Sequence, residues 1–190
     1  MRERLVEAAW ARIARSGLHG LTAREIAADA SCAVGSIYTV FEDLDELAIH
    51  ANLKSLELLG GALVSASAGT SGTEALRSLA LAYARFAVEH RLLWDALFDL
   101  RLAQPTPPEF VEANSGLLGL IGRALREIPV VAPPDDLAAR SRTYFAAVHG
   151  IVFISLQGRF VGHPPDNLAS EVDAFVALLA RGLESEAVER

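Results

Sequence analysis

The sequence predicts an all-α fold of about nine helices, on three observations. Apolar residues recur at helical spacing from end to end. No segment alternates apolar and polar residues between turn signals, as a half-buried strand would. Helix starts and stops punctuate the whole chain. Of the 190 residues 52% are hydrophobic and 22% charged, a globular composition far from the disordered class.

The first helix spans about residues 2–15, with Leu5, Val6, Ala9, Trp10 and Ile13 on one face and Ser16-Gly17 as its stop. A second opens at Thr22, where Thr-Ala-Arg-Glu reads as a capping box. The Thr22 hydroxyl and the Glu25 carboxylate would each meet a free backbone N–H, and the helix ends near Ala30. After a turn at Ser31-Cys32, residues 33–40 are expected as a third, very short helix with Val34, Ile37 and Phe41 as inward anchors. The fourth runs from Asp43 to about Val64, with Asp45 and Glu46 in the first turn, where the helix dipole favours acids. Small residues at 65–72 (SASAGTSG) form a connector. Ser71 with Glu74 suggests another capping box, opening a helix that reaches about His90, and a short aromatic helix follows over about 92–100. Breaks at 104–108, 129–134 and 162–165 bound helices of about 109–127 and 135–161. The last helix starts near Asn167 and carries Val172, Phe175, Val176, Leu179 and Leu183 on one stripe.

Several classes are disfavoured at once. A single cysteine, Cys32, excludes an internal disulfide framework and a Cys-based zinc site, and with no secretory leader pattern a cytoplasmic location is expected. The uncharged run 143–158 carries His149 and Gln157 and falls short of the roughly 20 residues of a membrane helix, so a buried helix and no membrane are expected. The five histidines are scattered, with no pair four apart, and no nucleophile-and-base, metal-ligand or phosphate-cradle spacing is present. Neither an enzyme, a metal nor a cofactor is indicated.

Three short helices with a tight turn between the second and third are the means of presenting a helix to the major groove, the second bracing on the backbone while the third reads base edges. The residues themselves carry a resemblance. The run Gly20-Leu21-Thr22-Ala23-Arg24-Glu25-Ile26-Ala27, then Val34-Gly35-Ser36-Ile37-Tyr38, Phe41 and Glu46-Leu47, resembles the DNA-binding head of the tetracycline-repressor (TetR) family over about residues 2–50. The stretch 147–151, with Gly158 and Phe160, is similar to one subgroup of TetR-type bodies. The resemblance implies a DNA-binding head at 1–50 and a ligand-binding and dimerisation body at 51–190. It implies a homodimer through the last two helices and a palindromic double-stranded operator. It places Thr22 against a phosphate and Ser36 and Tyr38 against backbone or bases, with Gly35 permitting close approach and Arg24 and Thr39 on the same side. Ile26, Ile37, Phe41 and Leu47 read as core.

The departures from the family pattern bear on affinity. Ser31 stands where the family usually has Gly in the turn, and Ala33 where Ser or Thr usually caps the recognition helix. Thr39, Val40 and Leu44 occupy places that often hold a basic residue, a His or Tyr, and a phosphate-binding Lys. The charge agrees. Residues 1–50 hold five arginines (2, 4, 12, 15 and 24) against eight acids (3, 7, 25, 29, 42, 43, 45 and 46), a net −3 within a chain of −7. Since phosphate binding draws most of its affinity from Lys and Arg, weak DNA binding is expected.

In the body Tyr83, Phe86, His90, Trp94, Phe98, Phe145, His149 and Phe153 would either line a cavity for a small apolar or aromatic ligand or simply fill the bundle core. His90 and His149 are the polar candidates, because burial without a partner is costly. Ile151, Ile154, Phe175, Val176, Leu179 and Leu183 offer apolar surface that a two-fold dimer would cover. The function expected is a transcriptional regulator, a repressor released by its ligand. The rival is a ligand-binding or interaction bundle that has kept a degraded helix-turn-helix.

Overall fold

The computed structural model describes residues 1–99, 107–128, 134–157 and 167–188, and among these it holds eight α-helices and no strand. In chain order they are α1 (Arg2–Ser16), α2 (Ala23–Asp29), α3 (Leu44–Ser67), α4 (Gly72–Glu89), α5 (Arg91–Asp99), α6 (Pro108–Arg126), α7 (Pro134–Gln157) and α8 (Leu168–Val188). The ninth expected helix, over 33–40, is instead a 3-10 turn at Val34–Ser36. Its backbone runs on through turns, with the Phe41 N–H reaching the Ile37 carbonyl at 2.9 Å. Ala33 at its N-cap has no side-chain oxygen to hold the first free N–H groups, so the segment lacks the anchor that a Ser or Thr would supply. Of the predicted breaks at 104–108 and 129–134 only 107–108 and 134 are described, and α6 and α7 open there at Pro108 and Pro134; the break at 162–165, with Gly158 and Phe160, lies outside the described residues.

The chain divides into two compact units, one of residues 1–59 with 89–114 and one of 60–88 with 115–190. The first is organised around Leu5, Ala9, Ile13, Ile26, Ile37 and Leu47, each withdrawn from solvent, with Phe41 and, from α5, Leu93 and Ala96. Two polar bonds, one part-buried and one buried, stitch its helices. Trp10 Nε1 donates to Ser55 Oγ at 3.2 Å, and Asn52 Nδ2 donates to the Ala96 carbonyl at 2.7 Å. Gly20 sits so close to α1 that a Cβ there would lie 2.5 Å from Ser16 Cβ, which explains the glycine at that position.

In the second unit α4 buries Leu76, Leu79, Tyr83 and Phe86, α6 buries Leu120, Ile121 and Leu125, and α7 and α8 bury Val148, Val152, Val172 and Val176. Tyr144 donates its hydroxyl to the Leu76 carbonyl at 2.7 Å, and its burial raises the phenol's pKa. Arg77 of α4 pairs with Asp173 of α8. The expected capping box at Ser71 does not form: the Gly72 N–H, at φ 53°, is met by Glu127 Oε2 at 3.0 Å. A carboxylate from just beyond α6 replaces the local cap. Among the described residues no helix is long and apolar enough to cross a membrane.

Candidate functional site

The helix-turn-helix segment starts from Thr22. Its Oγ1 accepts from the Glu25 N–H at 3.4 Å and donates to Glu25 Oε2 at 3.0 Å, so the Glu25 carboxylate meets the hydroxyl, not the Thr22 N–H expected of a capping box. Glu25 also pairs with Arg12 at 3.2 Å. Thr22 and Arg24 are both exposed, and Arg24 forms no ion pair among the described residues. At the turn Ser31 adopts φ 49°, the left-handed conformation that glycine takes freely. Beyond it Gly35 is open, with no atom within 4 Å of a built Cβ. Ser36 is half-buried, and Thr39 is exposed with its hydroxyl donating to the Ser36 carbonyl at 2.7 Å. Tyr38 stands 52% exposed and Val34 42% exposed. Val34 therefore is not the inward anchor its spacing from Ile37 suggested: the 3-10 turn directs Ile37 and Phe41 into the core and leaves Val34 outside.

The cations of this unit are largely engaged. Arg12 and Arg15 both reach Asp29 Oδ2, at 2.7 and 3.0 Å, and Lys54 pairs with Glu7 beside the Trp10 ring. Arg2 lies 4.4 Å from the Phe41 ring centroid, donates to the Val40 carbonyl at 3.2 Å, and meets His50 Nε2 at 2.5 Å and Glu46 at 3.5 Å. Burial, and then Arg2, push the His50 pKa down, so a neutral ring accepts from the guanidinium. A surface groove of about 530 Å³ between α1 and the end of α2 mixes Arg4 and Arg15 with Glu7 and Asp29, and offers no single sign of charge. None of these internal pairings was visible in sequence, because partners such as Arg2 and His50 are 48 positions apart.

In the second unit four of the predicted aromatics come together. Tyr83 Oη lies 2.7 Å from His149 Nδ1, Phe145 meets Tyr83 edge-on at 5.6 Å, and Phe153 stacks on His149 with centroids 5.9 Å apart. Desolvation lowers the His149 pKa, keeping the ring neutral near pH 7. Phe86 is buried on the same helix as Tyr83. His90, Trp94 and Phe98 belong to the first unit. His90 is half-buried at the turn before α5, Trp94 is buried, and Phe98 is 45% exposed with its ring 5.3 Å from that of Trp94.

Residues 76–181 match the family model described as "Tetracyclin repressor-like, C-terminal domain". The chain belongs to the TetR family of transcriptional regulators. Solved structures repeat the fold. A protein of unknown function from Rhodococcus sp. RHA1 is 25% identical with a TM-score of 0.77, covering 95% of this chain and 94% of that one. The transcriptional regulator FadR from Bacillus subtilis, in complex with stearoyl-CoA, is 17% identical with a TM-score of 0.70 over 96% of this chain and 99% of its own. The TetR family regulator PfmR from Thermus thermophilus is 19% identical with a TM-score of 0.66 over 95% and 96%. No curated protein sequence matches. Membership of the TetR family makes the chain a transcriptional regulator.

Proposed function

We propose that this TetR-family regulator is a homodimeric repressor that binds a palindromic operator through residues 1–50 and is released when a small apolar or aromatic molecule occupies the body at 51–190. The observation that carries the ligand reading is the Tyr83–His149 pair held at 2.7 Å among Phe145 and Phe153. An otherwise aromatic cluster with one neutral hydrogen-bonding pair suits a ligand with a hydrocarbon or ring body and a single polar group. FadR, bound to stearoyl-CoA, supplies a precedent on this fold for a long apolar ligand. Phe86, buried on the same helix as Tyr83, joins these as a proposed lining residue, whereas His90, Trp94 and Phe98 fall in the other compact unit. On the DNA side Thr22, Arg24, Gly35, Ser36, Tyr38 and Thr39 are the proposed contacts, supported by the exposure of all but the half-buried Ser36.

Dimerisation through α7 and α8 is supported by Ile154 at 46% and Leu178 at 62% exposure, two large apolar side chains on helices that pack on each other. A two-fold axis there would set two heads on two half-sites. Val176 contributes differently from its sequence reading, since it is buried within the subunit. Release requires that the ligand favour one arrangement of the heads over the other by its differential affinity. The test is fluorescence anisotropy on DNA upstream of the protein's own gene, with and without long-chain acyl and aromatic carboxylic compounds. Ligand-dependent loss of a sequence-preferring complex supports the reading. A folded dimer that prefers no genomic fragment leaves the degraded-head alternative in its place.

A further inference from the structure

We propose that this regulator reads its operator chiefly through thymine methyl groups, contacted by Val34 and Tyr38. The inference rests on the DNA-binding reading above and specifies what that head recognises. From Ser31 through Phe41 the chain holds no Arg, Lys, Asn, Gln, Asp or Glu. No side chain of the presenting segment can therefore make the bidentate bonds that select guanine or adenine, or accept from the cytosine amino group as a carboxylate does. What the segment offers instead is apolar. Val34 and Tyr38 are 42% and 52% exposed, while Ile37 and Phe41 of the same segment are withdrawn into the core. Val34 opens the 3-10 turn and Tyr38 follows two residues after its end. Thr39 has its hydroxyl proton engaged by the Ser36 carbonyl at 2.7 Å, so it adds a methyl but no free donor. Gly35, open to solvent between these groups, lets the backbone come close to the groove wall. The Ser36 and Tyr38 hydroxyls can each make single hydrogen bonds, which discriminate poorly among bases. Apolar contact with the C5-methyl of thymine is the one major-groove signature that this inventory matches.

The experiment uses the full chain and a preferred duplex obtained by selection from genomic fragments. Each thymine of a half-site is replaced in turn by deoxyuracil, which removes the methyl and leaves base pairing intact. The expected result is a loss of about fourfold in affinity at one or two thymines per half-site, the effect of one buried methyl. Val34→Ala, at an exposed site that the fold tolerates, should abolish the response at one of those positions. A 5-methylcytosine pair placed there should recover part of what a plain cytosine pair loses. If every deoxyuracil duplex binds as the parent does while the parent still outcompetes scrambled DNA, the reader stands and methyl recognition is overturned. If the folded protein prefers no duplex at all, the DNA-binding reading of this head falls, and the inference with it.

Discussion

At Ser31 the chain takes φ 49° with a residue that has a Cβ, and left-handed conformation costs an L-residue roughly 1–2 kcal/mol. Ser31→Gly should stabilise the protein by about 1 kcal/mol, read as a higher urea midpoint with an unchanged slope. An unchanged or lower midpoint would mean that the Ser31 side chain contributes a compensating bond. That position was legible in sequence as a departure from the family pattern, but its dihedral angle was not. The histidines give a second residue-scale expectation. His50 and His149 both have pKa values lowered by burial, so the unfolded chain, near 6.5, binds protons more readily than the folded one. Their contribution is fully present above pH 6.5 and is lost as pH falls below it. Denaturation at pH 7.5 and 5.5 should show a smaller pH-dependent loss for His149→Gln than for the parent. An equal loss in both proteins would sink the assignment. The partner of His149, Tyr83, lies 66 residues away, beyond any local pattern.

Among the elements, long amphipathic helices were legible because burial repeats along them: α1 buries Leu5, Ala9 and Ile13 of its expected stripe, and α8 buries Val172 and Val176 of its own. Short elements were not, since three or four residues carry too little periodicity to fix which side faces in. The 33–40 segment shows the consequence, with Val34 exposed and only Val34–Ser36 in a regular turn. Ala33→Ser supplies the missing cap and should stabilise the protein by about 1 kcal/mol. It should also slow amide exchange at Ser36 and Ile37. Faster exchange, or destabilisation, would show that the uncapped turn is the preferred form. Caps supplied from elsewhere were equally hidden, as Glu127 at the start of α4 illustrates, because its reach of 55 residues depends on how α6 packs.

For the whole molecule, assembly and charge decide what the protein can do. If α7 and α8 form the two-fold interface, Leu178→Glu places like charges near one axis and should raise the dimer dissociation constant by about 100-fold while far-UV helicity persists. Sedimentation at micromolar concentration checks this, and an unchanged dimer would move the interface elsewhere. The acidic balance of residues 1–50 was legible by counting, but the engagement of Arg2, Arg12 and Arg15 by Val40, His50, Glu46 and Asp29 is a tertiary fact. It leaves Arg24 as the exposed cation on the helix that braces the recognition turn. The central claim is a head that reads DNA with few phosphate contacts, and the salt dependence of operator affinity measures it most directly. Log affinity against log salt should fall with a shallow slope of about −4 for the dimer, with preference for the operator over scrambled DNA kept throughout. A slope of about −8 or steeper, or no preference at the lowest salt, would contradict it.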